Sequence, residues 1–223
     1  MSELVTARTF RFLGELAEHN ERPWFEANKA RYVAEVRDPL LRFVAAVGPK
    51  LAKLSRQIVA DPRPVGGSLF RIHRDVRFSK DKSPYKTHAA LSFRHSDGRE
   101  RPAPGFYLHL APGDVFAGGG LWHAPSDAVK QVRDAIVASP SRWAKVVRAC
   151  PLGDEEDTLK RAPRGYDPEH PFVADLKRQS FTTGVRFTQA QACADDFVER
   201  FAGSCRRALP LMEFLARAVD VPW

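Results

Sequence analysis

The chain predicts an α+β fold: a single domain with an antiparallel sheet of about four or more strands, covered on one side by helices from both ends of the chain. Three observations lead there. Side chains alternate between apolar and polar through four runs, 69–78, 87–94, 105–110 and 114–118. Turn-forming residues at 96–98 and 111–114 join these runs through short links, which favour antiparallel neighbours. Both flanks carry the 3.6-residue apolar period of helices. The domain spans 1–223, helical over 1–60, sheet over 68–120 and helical again over 126–220, with no internal repeat, low-complexity tract or linker.

Each element has a local reason. Residues 6–19 predict a helix with Thr6 as N-cap, an apolar stripe of Phe10, Leu13, Leu16 and Ala17, and Asn20 to close it. A second helix starts at Pro23, which suits a first turn, and carries Trp24, Phe25, Asn28, Tyr32 and Val36. Asp38-Pro39 starts a third, with Leu40, Leu41, Phe43, Val44 and Val47; Gly48-Pro49 predicts a bend or break before Leu51 and Leu54. Residues 61–67 read as a loop. In the strands, Thr87, Ala89, Leu91 and Phe93 share one face and Lys86, His88, Ser92 and Arg94 the other. Likewise Phe106, Leu108 and Leu110 point inward, and Tyr107 and His109 outward. A sheet with one polar face is a sheet covered on one side only. After Gly118-Gly119-Gly120, a helix begins near Asp127 with Ser126 as N-cap, and another covers Arg142 to Ala149. Residues 151–170 read as irregular, with an acidic cluster at 154–157, and 189–219 as helical with a break near Pro210.

At 223 residues and 43% hydrophobic, the chain has material for a sizeable core. No apolar run marks a signal peptide at 1–12, and no window reaches the length of a membrane span, so no membrane partner is expected. Cys150, Cys193 and Cys205 are odd in number and far apart, which argues against a disulfide framework and a cysteine zinc site. They read as structural thiols in a reducing cytoplasm. The net charge is +8, and residues 63–101 hold ten Lys/Arg against four Asp/Glu. So local an excess implies a site for an anion.

That excess centres on residues 71–86, where three arginines and three lysines surround two aspartates. Alternation places Phe70, Ile72, Arg74, Val76 and Phe78 on one face, and Arg71, His73, Asp75 and Arg77 on the other. A row of guanidinium groups suits a carboxylate or phosphate. Arg74, among apolar neighbours, is expected to be buried against a carboxylate. The candidate site is Arg71, Arg77, Lys82 and Lys86 with Asp75, edged by Tyr107 and His109. Ser79 to Lys82 and Ser83 to Lys86 both match Ser-x-x-Lys, but the elements that accompany that catalytic motif are absent, so they read as a polar turn pinned by Pro84 and Tyr85. His73, His88 and His109 lack metal-site spacing, so no metal is expected. Gly118-Gly119-Gly120 lacks the Lys-Ser/Thr of a phosphate loop and reads as a tight bend near Trp122; no cofactor is expected.

The run from Arg71 to Thr87 resembles the signature of the domain of unknown function 2461 family of bacteria and fungi. The supporting pieces stand in order: Phe12-Leu13 and Asn20, Trp24-Phe25, Asn28 and Tyr32, Pro104 to Leu108, Gly118 to Trp122, and Leu159 to Asp167. The family motif has tyrosine where this chain has His73. The resemblance implies one cytoplasmic α+β domain and supplies no activity. From the residues themselves, the first expectation is an anion-binding module for a phosphorylated or carboxylated ligand. The alternative is an enzyme on a phosphorylated substrate or nucleic acid, with Asp75, His109 or Tyr107 moving protons. In a third reading the arginines are purely structural. Nucleic acid fits the charge, although no known nucleic-acid module appears.

Overall fold

The computed structural model describes residues 4–154 and 158–223. Residues 155–157 of the expected acidic cluster lie outside the described residues.

Helix α1 (Ala7–Glu18) begins at a capping box: the Arg8 amide donates to Thr6 Oγ1 at 3.2 Å, and the Thr6 amide to Thr9 Oγ1 at 3.3 Å. Helices α2 (Arg22–Tyr32) and α3 (Asp38–Ala52) are one continuous rod, joined by a π-helical turn at Val33–Arg37. Pro39 explains the turn. It has no N–H to donate to the Glu35 carbonyl, and its ring crowds that carbonyl. The Glu35 oxygen instead accepts the hydroxyl of fully buried Thr9 at 2.7 Å, which ties α1 to the rod. The expected bend at Gly48-Pro49 does not end α3, which carries Pro49 in its last turn and buries Leu51.

Four strands follow: β1 (Ala89–Phe93), β2 (Gly105–Ala111), β3 (Asp114–Leu121) and β4 (Phe181–Phe187). They form one antiparallel sheet in the order β1-β2-β3-β4. Pro112 and Gly113 make the β2–β3 turn, Gly113 taking φ 75° where a side chain would be strained. Between β3 and β4 lie α4 (Ser126–Ala138), α5 (Pro140–Ala149) and the short α6 (Val173–Leu176); after β4 come α7 (Gln189–Ala192), α8 (Phe197–Arg207) and α9 (Leu209–Ala218).

Two strand assignments need correction. Residues 69–78 are not a strand. Only two isolated antiparallel bridges form, Leu69 with Leu91 and His73 with Tyr85. Between them residues 70–72 face residues 86–90, so the second segment carries two extra residues and the ladder breaks. The alternation shifts with it: Leu69 and Ile72 are buried, Phe70 is 37% exposed, and Phe78 is 97% exposed. Conversely, β4 lies inside the stretch expected to be helical over 126–220.

Phe106, Leu108 and Leu110 of β2 join Leu91, Phe93, Val115 and Ala117 in the main core, with side chains from α1, α3, α7 and α8. A second cluster gathers Trp143, Phe181, Leu211, Phe214 and Leu215 from α5, β4 and α9. Cys150 and Cys205 are buried free thiols, and Cys193 is half-buried. The opposite sheet face carries Tyr107, His109, Phe116 and Arg186. Among the described residues no helix is long and apolar enough to cross a membrane.

Candidate functional site

The Arg71–Lys86 segment is an irregular loop docked on the start of α2. Two backbone bonds close its root, Arg74 N to Pro84 O at 2.9 Å and Lys86 N to Ile72 O at 2.7 Å. Asn20, between α1 and α2, then acts as a strand would. Its Nδ2 donates to the Tyr85 carbonyl at 3.0 Å, and its Oδ1 accepts the Tyr85 amide at 3.0 Å. Phe25 stacks on the Tyr85 ring at 4.1 Å and meets His73 edge-on at 6.1 Å. The loop therefore has a fixed position on the helix.

Beyond the root, side chains shape the turn. Asp81 accepts from the Ser83 amide at 2.9 Å and hydroxyl at 2.6 Å, and it pairs with Arg74. Those hydrogen bonds, with the Arg74 guanidinium, hold the Asp81 carboxyl far below the usual carboxylate range. Arg74 also reaches Ser79 Oγ at 3.4 Å, and Lys82 donates to the Val76 carbonyl at 3.0 Å. Arg77 grips Asp75 with two parallel bonds of 2.9 and 2.6 Å, which lower the Asp75 carboxyl.

The expectation for Arg74 was half right. It pairs with a carboxylate, but its side chain is 27% exposed and that of Asp81 59%, so water screens the pair.

The loop and α2 enclose a cleft of about 320 Å³, lined by Arg22, Glu26, His73, Arg74, Val76, Pro84 and Tyr85. Arg74 contributes a guanidinium already oriented by Asp81 and Ser79. The Arg22 guanidinium has no hydrogen-bond or ion-pair partner among the described residues. Burial raises the Tyr85 hydroxyl above its ordinary value, so it stays a neutral donor.

The seven residues singled out from the sequence fall in two groups. Arg77, Asp75 and Lys82 lie in the loop, occupied as described. Arg71 is exposed, and its charge helps lower Asp75. Lys86 donates to the Arg71 carbonyl at 3.0 Å and sits 5.2 Å from the Phe70 ring; burial, then Arg71, lowers its pKa. Tyr107 and His109 are on the open sheet face, the phenol 3.2 Å from His109 Nδ1. His109 is sandwiched by His88 at 4.5 Å and Phe116 at 4.8 Å, and Arg186 caps the row over Phe116. Burial pushes His109 down, and burial with His109 and Lys86 nearby pushes His88 down to about 4. Lys86 links the two groups, being within electrostatic reach of both Arg71 and His88.

Arg22 and Glu26 were not singled out from the sequence, because nothing local says which face of α2 meets a loop some fifty residues away. Phe25 is buried, and its packing on Tyr85 is the signal that leads to the cleft. Among the described residues no three His, Cys, Asp or Glu side chains converge as a metal site.

These features define an α+β protein with a half-open antiparallel sheet and a cationic loop docked on a helix. The family model described as a conserved hypothetical protein, DUF2461, matches residues 8–214, and the chain belongs to that family. No curated protein matches the chain in sequence.

Proposed function

We propose that the protein is an anion-binding module for a phosphorylated or carboxylated ligand seated at the 71–86 loop. One observation carries this reading: Arg22, Arg74, His73 and Tyr85 line a single cleft at the foot of the loop. Arg74 has N–H groups beyond those bound to Asp81 and Ser79, and Arg22 offers its whole fork. His73 and the Tyr85 hydroxyl add donors, and Glu26 is the one carboxylate in the lining.

The surrounding loop supplies long-range attraction. Arg71, Lys82 and Lys86 are the sequence-derived ligands that leave a surplus of positive charge. Arg77 and Asp75 satisfy each other, and in this reading they hold the loop's shape. Tyr107 and His109 edge the field from the sheet side, with Lys86 between them and the loop.

A titration followed by thermal unfolding tests the proposal with inorganic phosphate, pyrophosphate and citrate. A ligand at one hundred times its Kd stabilises the native state by about 2.7 kcal/mol. The parent should show a saturable one-site rise in Tm. Arg22→Ala, at an exposed position, should abolish it without lowering the Tm of the free protein, and Arg71→Ala should weaken it. A parent that responds to none of the three anions, or an Arg22→Ala protein that responds equally, would count decisively against the reading.

A further inference from the structure

We infer that the anion received by this loop is the backbone of a single-stranded nucleic acid, with one base stacked on Phe78. The inference rests on the anion-binding reading and adds the ligand's class. Phe78 is 97% exposed, more than Val65 or Trp122. The turn that holds it out is tied on both sides. Lys82 closes onto the Val76 carbonyl, Ser79 N bonds Val76 O at 3.4 Å, and Arg74 binds both Ser79 and Asp81. The ring is thus presented to water by a built turn.

Its immediate chemistry points to a base. The Arg77 guanidinium lies 5.8 Å from the ring centroid and is itself oriented by Asp75. An aromatic face flanked by cations is a sequence-tolerant stacking platform, since every base has a π-face. Lys80 and Lys82 belong to the same turn and Arg71 and Lys86 to the root of the loop, and the two aspartates of the loop are already engaged by Arg77, Arg74 and Ser83. The cleft begins two residues away at Val76. A ligand that alternates charged phosphates with flat rings satisfies both features together. The strand must be single, because a duplex keeps its base faces inside the stack. A lipid surface fits less well: residues 77–83 hold no second apolar side chain to enter hydrocarbon. An acidic peptide would meet the lysines and leave the ring in water.

The test is fluorescence anisotropy with a labelled oligothymidylate of about 12 nucleotides, within the span of a small binding domain. A duplex of the same length, heparin, and vesicles containing phosphatidylserine run beside it, with the phosphate Tm shift measured on every variant. The parent should bind the single strand, with affinity falling steeply as salt rises. Phe78→Ala should weaken that binding about tenfold, in line with the loss of one stacked base. It should leave both the Tm and the phosphate shift unchanged, and Phe78→Trp should keep the affinity. Equal affinity of parent and Phe78→Ala for the strand overturns the inference while the phosphate shift keeps the anion site. So does binding of duplex, heparin or vesicles as tight as the single strand. Phe78-dependent strand binding without any phosphate shift in the parent places the failure at the cleft instead.

Discussion

His88 stacks on His109 beside Lys86 and is neutral at pH 7. Its ring stacks on His109 at 4.5 Å, Lys86 is near on one side, and Asp114 and Arg186 lie beyond His109 on the other. Burial is the largest cause of its low pKa of about 4, against an ordinary 6.5. The sign follows directly. In the unfolded chain the imidazole takes a proton near pH 6.5, while in the fold it resists until about pH 4. Stability from this group is therefore complete above pH 6.5 and declines as the pH falls toward 4. His109, also lowered by burial, adds to the same trend, and Asp114 opposes it. Urea midpoints for the parent should drop between pH 7 and pH 5 more than those of His88→Gln; parallel profiles would show that the stacked pair carries no such linkage. The polar side of this face was legible from alternation alone, because a strand's period is local. The stacking was not, since it depends on which residue of β2 lies opposite which residue before β1. The same limit hid the role of Asn20, which reads locally as a helix stop yet bonds both backbone groups of Tyr85.

Among the elements, the rod from Arg22 to Ala52 shows how one proline sets a contact elsewhere. Pro39 cannot bond the Glu35 carbonyl, so Thr9 does. Replacing Thr9 by Val keeps the shape but removes both the donor to this part-buried carbonyl and the acceptor of the Thr6 amide, at a cost of about 1–3 kcal/mol. In a Pro39→Ala background the amide at position 39 becomes available to that carbonyl. The cost of Thr9→Val should then shrink, and a double-mutant cycle read by urea denaturation should show coupling of about 0.5 kcal/mol or more. Additive effects would mean the π turn has another origin. Sequence reading placed starts at Pro23 and Asp38-Pro39 because prolines near a helix start are common, and a π turn mimics such a start. It missed β4, although Phe181, Thr183, Val185 and Phe187 alternate, because this strand pairs with β3, some sixty residues earlier, and sits between helical runs. It gave 69–78 a strand's regularity because bridge partners supply only half of one.

At the scale of the molecule, the α+β class and the one-sided cover follow from periodicities that every part of the chain repeats. The functional cleft does not, because it joins α2 to a loop that local patterns describe separately. What unites the molecule is the seam between its two core clusters. Met212 of α9 belongs to the main core, while Leu211, Phe214 and Leu215 of the same helix belong to the second. Met212 reaches the sheet at Gly119, opposite Phe106 on β2. A methyl group at position 119 would lie 2.9 Å from the Phe106 ring and 3.2 Å from the Met212 sulfur. Phe106 is almost fully buried and packed, so it has little room to yield. Gly119→Ala should therefore cost about 1–3 kcal/mol by overpacking. Because α9 serves both clusters, the loss should reach both. Trp143 is buried in the second cluster and Trp24 packs against the main core, so tryptophan fluorescence follows both sides, and far-ultraviolet circular dichroism follows the whole chain. The two probes should give coincident denaturation curves in the parent and curves shifted together in Gly119→Ala. Curves that separate in the variant would show that the seam couples two units which otherwise unfold apart.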